Sequence, residues 1–433
     1  MNIKETQVLV VGGGLAGLVA AKVAKKQGKE VVIAAKSGGI SEICCGAFDV
    51  LGAIPGANAK IVVNINDGVK QLTEIKSDHP YAKSQSLDRA METLVELASE
   101  GGYKVSGDGR KNVFLPNIYG TFTTAAYVPS FLKAGALDVG EQKERNVLVV
   151  GFNGHQEFNC AHAAQSYAYV GRRNNISNDK YYSANITLPS FKNRTRVSSA
   201  EIAEFVDTEE GLNEFVQTVK ANVSPKLKID LILCSPALGF YKTDEIITKL
   251  EAETGARVAE VACAGSSVVG FRLSRALRRG VESSDIPFLY GCEAENIKNV
   301  DDKVEVSFVS GVRDYIHPGQ KHSILADKVI LATGGFLGGG LSRGHRTVKV
   351  NLVNLDLGPI TEDEVNYDVF DSKGQPYLNK GLAVDENMQP QNVEFKNIFA
   401  CGDIVSGFDG IYEKSSAGVA AITAYDAALA ASK

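Results

Sequence analysis

The pattern of apolar positions is clearest in TQVLVVGGGLAGLVAAKVAKKQGKEVVIAA, residues 6–35. Residues 8–11 and 31–34 are apolar at every position, which is typical of parallel strands buried on both faces. Between them lies a stretch of small and apolar residues at helical spacing, which stops at Gly28. The pattern predicts a strand, a helix and a second strand, the beginning of a βαβ unit.

A glycine motif, G-x-G-x-x-G, follows the first predicted strand directly and opens the helix. In this context the first glycine allows a tight turn, the second lets backbone approach a phosphate, and the third permits close helix packing. The positive end of the helix then attracts the phosphate. We expect a nucleotide-type cofactor here, although a plain strand-to-helix turn is the alternative. The expected contacts are Gly12, Gly13, Gly14, Leu15, Ala16 and Gly17.

The rest of the chain divides into an interrupted domain and an insertion. Residues 61–264 mix helical stretches such as SLDRAMETLVELASE with strands such as NVLVVGF, without a repeat or a low-complexity linker. From about residue 265 buried strands resume in ADKVILATGG and NIFACGD, before an alanine-rich terminal helix. We predict an α/β fold in which a Rossmann-like domain with a parallel sheet, residues 1–60 and 265–433, is interrupted by an α/β or α+β cap or substrate domain at 61–264.

Length and charge narrow the class of protein. A chain of 433 residues supports two domains, because single cores rarely grow past roughly 250 to 300 residues. The formal net charge of −5 offers no basic field, so we expect no nucleic-acid partner. The start, MNIKETQ, lacks the features of a signal peptide, and no apolar run approaches the ~18 residues that span a bilayer. We expect a cytoplasmic protein, either free or peripheral to the membrane.

The seven cysteines are scattered and never spaced as C-x-x-C. We therefore expect neither a disulfide framework nor a metal or iron–sulfur site. Adjacent Cys44 and Cys45 could form a redox pair, but such a bond would strain the peptide that joins them.

Three segments taken together resemble flavoproteins of the two-dinucleotide-binding-domain type. They are VLVVGGGLAGLVAA at the start, ADKVILATGG late in the chain, and NIFACGD followed by a small-residue helix at the end. Their order and separation are similar to that group. GFLGGG and the interrupted domain resemble its fumarate reductase and succinate dehydrogenase branch.

A closer resemblance covers most of the chain and is to the B subunits of anaerobic glycerol-3-phosphate dehydrogenase. The segments that carry it are GGGLAGL, CCGAFDVLG, FLPNIYGTF before AAYVP, SSVVGFRLSRALRRG, ILATGGFLGGGL, GLAVDENMQP and FACGDIVSGFDGIYEKSSAGVAAITAY. The chain departs from that family at 122–125, where FTTA stands in place of a basic residue and proline. That departure weakens any role of this loop in binding a substrate phosphate.

This resemblance implies a flavin-containing subunit on the cytoplasmic side of a membrane complex. Its partners would be a larger FAD-bearing A subunit and an iron–sulfur C subunit that attaches to the membrane. The complex would oxidise sn-glycerol 3-phosphate to dihydroxyacetone phosphate and pass the electrons to quinone. The family implies FMN as the cofactor of this subunit.

The resemblance also implies cofactor contacts outside the first glycine motif. An acid after the strand IFAC would accept hydrogen bonds from the cofactor chain, and the last helix would direct its positive end at a reduced flavin. A Thr-Gly-Gly turn would let strand backbone approach the cofactor. A turn or helix cap, a plain terminal helix and an ordinary turn are the alternatives. The residues are Thr333, Gly334, Gly335, Gly402, Asp403, Ala417, Gly418 and Val419, to which we add Lys36.

Ala35 bears on which flavin is bound. It lies about where an acid usually ends the second strand and binds the adenosine ribose. Neither Ala35 nor Lys36 can accept that hydrogen bond, and Glu30 lies at the wrong end of the strand. Because FMN has no adenosine, the missing carboxylate favours FMN, while backbone contacts could still hold FAD.

Oxidation of an alcohol through a flavin requires a base for the hydroxyl proton. His345 and His155 are the better placed histidines, and a surface or structural role is the alternative for each. A phosphate substrate also favours arginine. The arginine candidates are Arg272, Arg275, Arg343 and Arg346, of which we select Arg272 and Arg343 to act with His345.

Two other functions stay open from the sequence. The protein could be an electron-relay or scaffolding subunit that holds flavin without turning over glycerol 3-phosphate, which the absence of a clear His–Arg constellation favours. It could also be a relative of fumarate reductase or ketosteroid dehydrogenase, whose own Arg, His or Tyr set we cannot identify in this sequence.

Overall fold

The computed structural model of the chain describes residues 4–56, 60–140, 144–223, 226–263, 267–310, 319–368, 371 and 374–433. The chain forms two compact units. The first unit comprises Met1–Ser41, Asp49–Tyr103 and Ser274–Lys433, and the second comprises Glu42–Phe48 and Lys104–Leu273.

In chain order, the strands are β1 (Glu5–Val11), β2 (Val31–Ala35), β3 (Ala53–Ile54), β4 (Lys60–Ile61), β5 (Val105–Ser106), β6 (Val113–Pro116), β7 (Phe122–Ala125), β8 (Val128–Pro129), β9 (Leu137–Asp138), β10 (Asn146–Phe152), β11 (Lys180–Ile186), β12 (Leu231–Cys234), β13 (Arg257–Glu260), β14 (Phe288–Tyr290), β15 (Cys292–Val300), β16 (Lys303–Ser310), β17 (Gln320–Leu331), β18 (Leu341–Arg343), β19 (Thr347–Val350), β20 (Leu355–Pro359) and β21 (Ile398–Ala400).

The α-helices are α1 (Leu15–Lys26), α2 (Ile65–Ile75), α3 (Leu87–Glu100), α4 (Ser130–Lys133), α5 (Cys160–Arg173), α6 (Ser199–Val206), α7 (Glu209–Asn222), α8 (Thr243–Thr254), α9 (Ser267–Glu282), α10 (Gly410–Glu413) and α11 (Ser416–Ala431). Single turns of 3₁₀ helix lie at Gly39–Ile43, Pro80–Lys83, Pro189–Phe191, Glu362–Glu364, Pro376–Asn379 and Gly402–Ile404.

The main sheet of the first unit has the order β14-β2-β1-β17-β16-β15, and β21 also pairs with β17. The strands β14, β2, β1, β17 and β21 run parallel, whereas β16 and β15 join antiparallel. Every residue of β2 is buried, as the unbroken apolar pattern predicts. The predicted strand-helix-strand beginning and the α/β class with a parallel sheet are confirmed.

The first unit extends further along the chain than the predicted boundary at residue 60. The helix α3 packs on α1 and α11, and it buries Leu94 and Leu97 completely. Gly101, which follows α3, also packs closely against α9, because a Cβ at this residue would lie 1.8 Å from the carbonyl oxygen of Ala276. The apolar face of α3 therefore belongs to the core of the first unit, and the chain divides near residues 103 and 273 rather than 60 and 264.

The second unit is built on a parallel sheet of order β11-β10-β12-β13. Alternate residues of β10 face different cores: Val147 and Val149 pack with α5, and Leu148 and Val150 pack with α6, α7 and α8. Both faces of this sheet are therefore covered by helices, which makes this unit α/β in kind. Its predicted role as a cap or substrate domain stays a prediction.

Candidate functional site

The carboxyl ends of three parallel strands in the first unit meet at one edge of the sheet. Val11 of β1 lies opposite Leu331 of β17, which in turn lies opposite Ala400 of β21. The glycine motif follows β1, the Thr-Gly-Gly turn follows β17, and Gly402 and Asp403 follow β21. The structure therefore brings together the three strand-end segments that the sequence selected, at the edge where ligands bind in open parallel sheets.

At two glycines of the first motif, close contacts with neighbouring backbone leave no room for a side chain. Gly12 has a φ of +127°, and a Cβ there would lie 2.0 Å from the carbonyl oxygen of Ala332. A Cβ on Gly17 would lie 2.0 Å from the carbonyl oxygen of Gly12. These contacts fix a tight turn between β1 and α1 and press it against the end of β17.

The middle glycine of the motif, Gly14, has room for a side chain. Gly14 has ordinary backbone angles, with φ −78° and ψ −178°, and a Cβ there would meet no other atom closer than 3.8 Å. Gly14 is also the N-cap of α1 and no acid lies in the first turn, while the Ser41 hydroxyl accepts the Leu15 N–H at 3.2 Å. Neither packing nor backbone strain explains glycine here, whereas a phosphate at the positive helix end would.

Two polar groups near this turn accept no hydrogen bond from the described residues. The Thr333 hydroxyl oxygen is buried without a hydrogen bond among the described residues. Across the described chain, no side chain or backbone group donates a hydrogen bond to the carboxylate of Asp403. Burial, and to a smaller extent the charge of Asp49, raises the pKa of this carboxyl group to about 6. A Cβ on Gly335 would lie 3.2 Å from the Asp403 Cβ, so these turns are adjacent. Both groups could be satisfied by a ligand that carries hydroxyls.

The N-terminus of α11 is already capped by a carboxylate that the sequence did not suggest. The Ala417 N–H donates to Asp49 Oδ1 at 2.7 Å, and the Gly418 N–H donates to the Asp49 carbonyl at 2.9 Å. The Val419 N–H donates to the carbonyl of Ser415. Burial raises the pKa of Asp49, and the bond from Ala417 opposes that rise. Asp49 therefore already accepts two N–H groups of this helix end, and the predicted contact of Ala417, Gly418 and Val419 with a flavin stays a prediction.

A buried charged cluster holds the turn that leads into α11. The Glu413 carboxylate, which has no exposed surface, accepts from Lys76 at 2.7 Å, His79 at 3.1 Å and Ser415 at 3.0 Å. His79 Nδ1 accepts the Tyr81 N–H, so its proton lies on Nε2 and is donated to Glu413. Burial raises the pKa of Glu413, but the bonds and charges of His79 and Lys76 outweigh it and lower the pKa overall. This cluster positions the turn, and no sequence motif indicated it.

The end of β2 carries no carboxylate. Ala35 is the last residue of that strand and is buried, as the strand prediction required. Lys36 is exposed and forms an ion pair of 2.8 Å with Glu293. The predicted contact of Lys36 with a cofactor stays a prediction.

The predicted catalytic residues have contrasting environments. His345 is exposed in the turn between β18 and β19, and Arg343 on the same hairpin lies over the ring of Tyr377 at 4.6 Å. In the second unit, His155 is buried, contacts Ser199 through Nε2 at 2.9 Å, and has its pKa lowered by burial. The hairpin residues are thus accessible to solvent, whereas His155 is a core residue.

Arg272 needs correction as a substrate-binding candidate. Its guanidinium is 7% exposed and donates to both carboxylate oxygens of Glu260, at 2.6 and 3.0 Å. It also donates to the Gly239 carbonyl at 2.7 Å and lies 4.9 Å from the ring of Phe131. The basic helix α9 thus directs this arginine into a buried ion pair, which explains the residue without a substrate.

The potential metal ligands of the described residues do not form a cluster. Within those residues, no group of three or more His, Cys, Asp or Glu side chains could hold a metal ion. The seven cysteines all lie in the described ranges, and no disulfide joins them. In the same part of the chain, no helix has the length and apolar character needed to cross a bilayer.

Comparison with known proteins identifies relatives over nearly the whole chain. The family model described as "FAD binding domain" matches residues 7–355 and 360–419. The B subunit of anaerobic glycerol-3-phosphate dehydrogenase from Vibrio cholerae serotype O1 is 23% identical over 97% of this chain and 95% of its own length. The protein of the same name from Pasteurella multocida is 25% identical over 97% of both chains.

Two solved structures are similar to this chain at low identity. The open conformation of a flavocytochrome c3 fumarate reductase has a TM-score of 0.43, with 12% identity over 99% of this chain and 78% of the other. Sdh1 of Mycobacterium smegmatis in complex with UQ1 has a TM-score of 0.40, with 12% identity over 100% of this chain and 69% of the other.

Proposed function

Since this chain belongs to the FAD binding domain family, we propose that it is the flavin-containing B subunit of an anaerobic glycerol-3-phosphate dehydrogenase. Two observations support this proposal. Relatives that carry this name match almost the entire chain, and the strand ends hold the Thr333 hydroxyl and the Asp403 carboxylate, which have no hydrogen-bond partner among the described residues. The second observation carries the flavin assignment, because it comes from this chain alone.

The residues at the strand ends fit the parts of a flavin nucleotide. The turn at Gly14 and the positive end of α1 would hold the phosphate. The carboxylate of Asp403 and the hydroxyl of Thr333 would accept hydrogen bonds from the hydroxyls of the ribityl chain. When bound, the flavin supplies an acceptor for two electrons from an alcohol carbon. The work of the chain is to hold the cofactor and to exclude water from the buried strand ends.

We propose FMN as the flavin, with FAD as the alternative that the family description offers. The terminal residue of β2 is Ala35, which has no acceptor for an adenosine ribose, and Lys36 beyond it is paired with Glu293. FMN needs no such acceptor. Its terminal phosphate would end at the glycine turn.

The substrate of the complex in this proposal is sn-glycerol 3-phosphate, oxidised to dihydroxyacetone phosphate, with electrons passing to quinone. His345 would take the hydroxyl proton and Arg343 would bind the substrate phosphate, since both are exposed on one hairpin. The partners would be an FAD-bearing A subunit and an iron–sulfur C subunit. We place the protein in the cytoplasm, attached to the membrane only through a partner.

A second candidate function is an electron relay that holds flavin without oxidising the substrate. The environment of Arg272 favours it, because a guanidinium locked onto Glu260 removes one of three predicted catalytic side chains. The two functions differ in one measurable property of the isolated protein, which is whether substrate reduces its flavin.

The test uses purified protein with its flavin bound, under anaerobic conditions. Addition of glycerol 3-phosphate should bleach the flavin absorbance if this subunit is catalytic. Full bleaching by dithionite but none by glycerol 3-phosphate would overturn the catalytic proposal in favour of the relay. His345→Gln should slow the bleaching without loss of flavin if the histidine is the base.

A further inference from the structure

An aromatic ring fills the space beside the glycine turn at the carboxyl end of β2. A Cβ placed on Gly13 would lie 2.8 Å from the Cβ of Ala35 and 2.9 Å from Cζ of Phe288. Phe288 begins β14, which pairs in parallel with β2 so that Phe288 lies opposite Ile33 and Tyr290 opposite Ala35. The tip of the Phe288 ring therefore reaches from the neighbouring strand, across the end of β2, to the second position of the glycine turn.

The ring is held in this place by its neighbours. Phe288 and Tyr290 project from the same face of β14 and stack, with centroids 6.0 Å apart and planes 24° apart. The guanidinium of Arg278 on α9 lies 5.0 Å from the Tyr290 ring and 6.0 Å from the Phe288 ring. A cation over stacked rings favours one arrangement of all three side chains. The Phe288 ring is thus fixed at the strand end.

A dinucleotide needs the place that this ring occupies. In βαβ units that bind dinucleotides, the pyrophosphate lies on the glycine turn, and the adenosine continues over the end of the second strand. The adenosine ribose is then held by an acid at that strand end. Here the strand ends in Ala35, and both the Ala35 methyl group and the Phe288 ring lie within 3 Å of the Cβ position of Gly13 in the turn. A mononucleotide that stops at the turn meets none of these obstacles.

We propose that Phe288 restricts the site to the mononucleotide form of its cofactor, because its ring fills the volume beside Gly13 and Ala35 that an adenosine would need. The site accepts FMN and excludes FAD by shape as well as by the missing carboxylate. This inference rests on the proposed flavin function and adds the residue that sets the choice between the two flavins.

The alternative is that Phe288 only packs the strand end. In that case removal of the ring would loosen the turn and weaken the binding of FMN and of FAD to the same degree. The two explanations therefore differ in the ratio of the two dissociation constants and not in either constant alone.

The experiment compares FMN and FAD binding to the full chain after removal of its cofactor. Wild type, Phe288→Ala and Phe288→Tyr are titrated with each flavin, and the dissociation constants are obtained from quenching of flavin fluorescence. We expect wild type to bind FMN at least about tenfold more tightly than FAD. Phe288→Ala should lower the dissociation constant of FAD by about tenfold and change that of FMN little. Phe288→Tyr keeps the ring and should keep the preference.

Two further variants complete the test. Phe288→Val removes the ring with less loss of packing, and serves if Phe288→Ala does not fold. Ala35→Glu combined with Phe288→Ala restores the ribose acceptor and should bind FAD more tightly than Phe288→Ala alone. Thermal denaturation of each cofactor-free variant establishes that the chain is folded.

Equal affinity of wild type for FMN and FAD would overturn the inference. So would a wild-type preference that survives unchanged in both Phe288→Ala and Phe288→Val. If wild type binds neither flavin, the proposed function itself fails, and that result is distinct from loss of the FMN preference.

Discussion

Replacement of Asp403 by Asn should make the cofactor-free protein more stable while weakening its hold on flavin. Burial, with the nearby charge of Asp49, raises the pKa of the Asp403 carboxyl from 3.8 to about 6, and the described residues donate no hydrogen bond to it. At roughly 1.4 kcal/mol per pKa unit, the ionised form is disfavoured by about 3 kcal/mol at neutral pH. Asn removes the charge and keeps the shape.

The pH dependence has a definite sign. The folded protein holds the Asp403 proton up to about pH 6, whereas the unfolded chain releases it near the ordinary value of 3.8. The folded state binds more protons in that interval, so this group lowers stability as pH rises through it. Asp403→Asn should therefore exceed wild type in free energy of unfolding by up to about 3 kcal/mol above pH 6, and match it at the acid end of the interval.

Flavin binding should change in the opposite direction. A hydrogen bond from a cofactor hydroxyl to a carboxylate contributes about 1.5–3 kcal/mol, which corresponds to a loss of roughly ten- to hundredfold in affinity for the variant. Thermal denaturation without cofactor and calorimetric titration with FMN measure the two effects separately.

Asp426→Asn is the matched control. Asp426 lies on α11, burial raises its pKa, and its Oδ2 has no partner among the described residues, yet it is not at the strand ends. This variant should leave flavin affinity unchanged. A cofactor-free Asp403→Asn protein that is less stable than wild type, or one that binds FMN with wild-type affinity, would refute the reasoning.

Three further substitutions test the site and the second unit. Gly17→Ala should abolish flavin binding, because its Cβ would lie 2.0 Å from a carbonyl oxygen of the turn. Gly28 has a φ of +79°, and a Cβ there would meet no atom within 4 Å, so Gly28→Ala should bind flavin normally and lose only about 1 kcal/mol of stability. Thr333→Val should not destabilise the cofactor-free protein, since the hydroxyl has no partner among described residues, but should weaken FMN about two- to tenfold in a fluorescence titration. Arg272→Leu should lower the free energy of unfolding in urea by about 3–5 kcal/mol, because the buried Glu260 loses its cationic partner. Glu260→Leu in the same chain should restore only part of that loss, because the Leu238 N–H that also donates to Glu260 then loses its acceptor.

The strand ends could be predicted from the sequence because each signal was local. An apolar run followed by glycine marks the end of a buried strand, and the carboxyl ends of parallel strands lie at one edge of a sheet. The turn at Gly12, the turn at Thr333 and the acid at Asp403 are therefore adjacent, although more than three hundred residues separate the first from the second.

The features that sequence reasoning missed depend on pairs of residues far apart in the chain. Asp49 caps a helix by accepting the N–H of Ala417, 368 residues later, and nothing in CCGAFDVLG indicates which N–H groups its carboxylate meets. Arg272 lies on a helix with other basic residues, and its partner Glu260 is fixed only by the packing of a neighbouring strand. The polar and apolar spacing of α3 predicts a helix but does not say which core that helix covers, so its place in the first unit could not be predicted.

The identity of the flavin that the intact protein carries tests the central claim most directly. The protein should be purified under gentle conditions, denatured, and the released cofactor identified by chromatography and mass spectrometry. Stoichiometric FMN is the result expected from the open turn at Gly14, the unpaired Asp403 and the ring of Phe288 beside Ala35. Stoichiometric FAD would contradict the choice of flavin, and a protein that holds no flavin would contradict the assignment of the site.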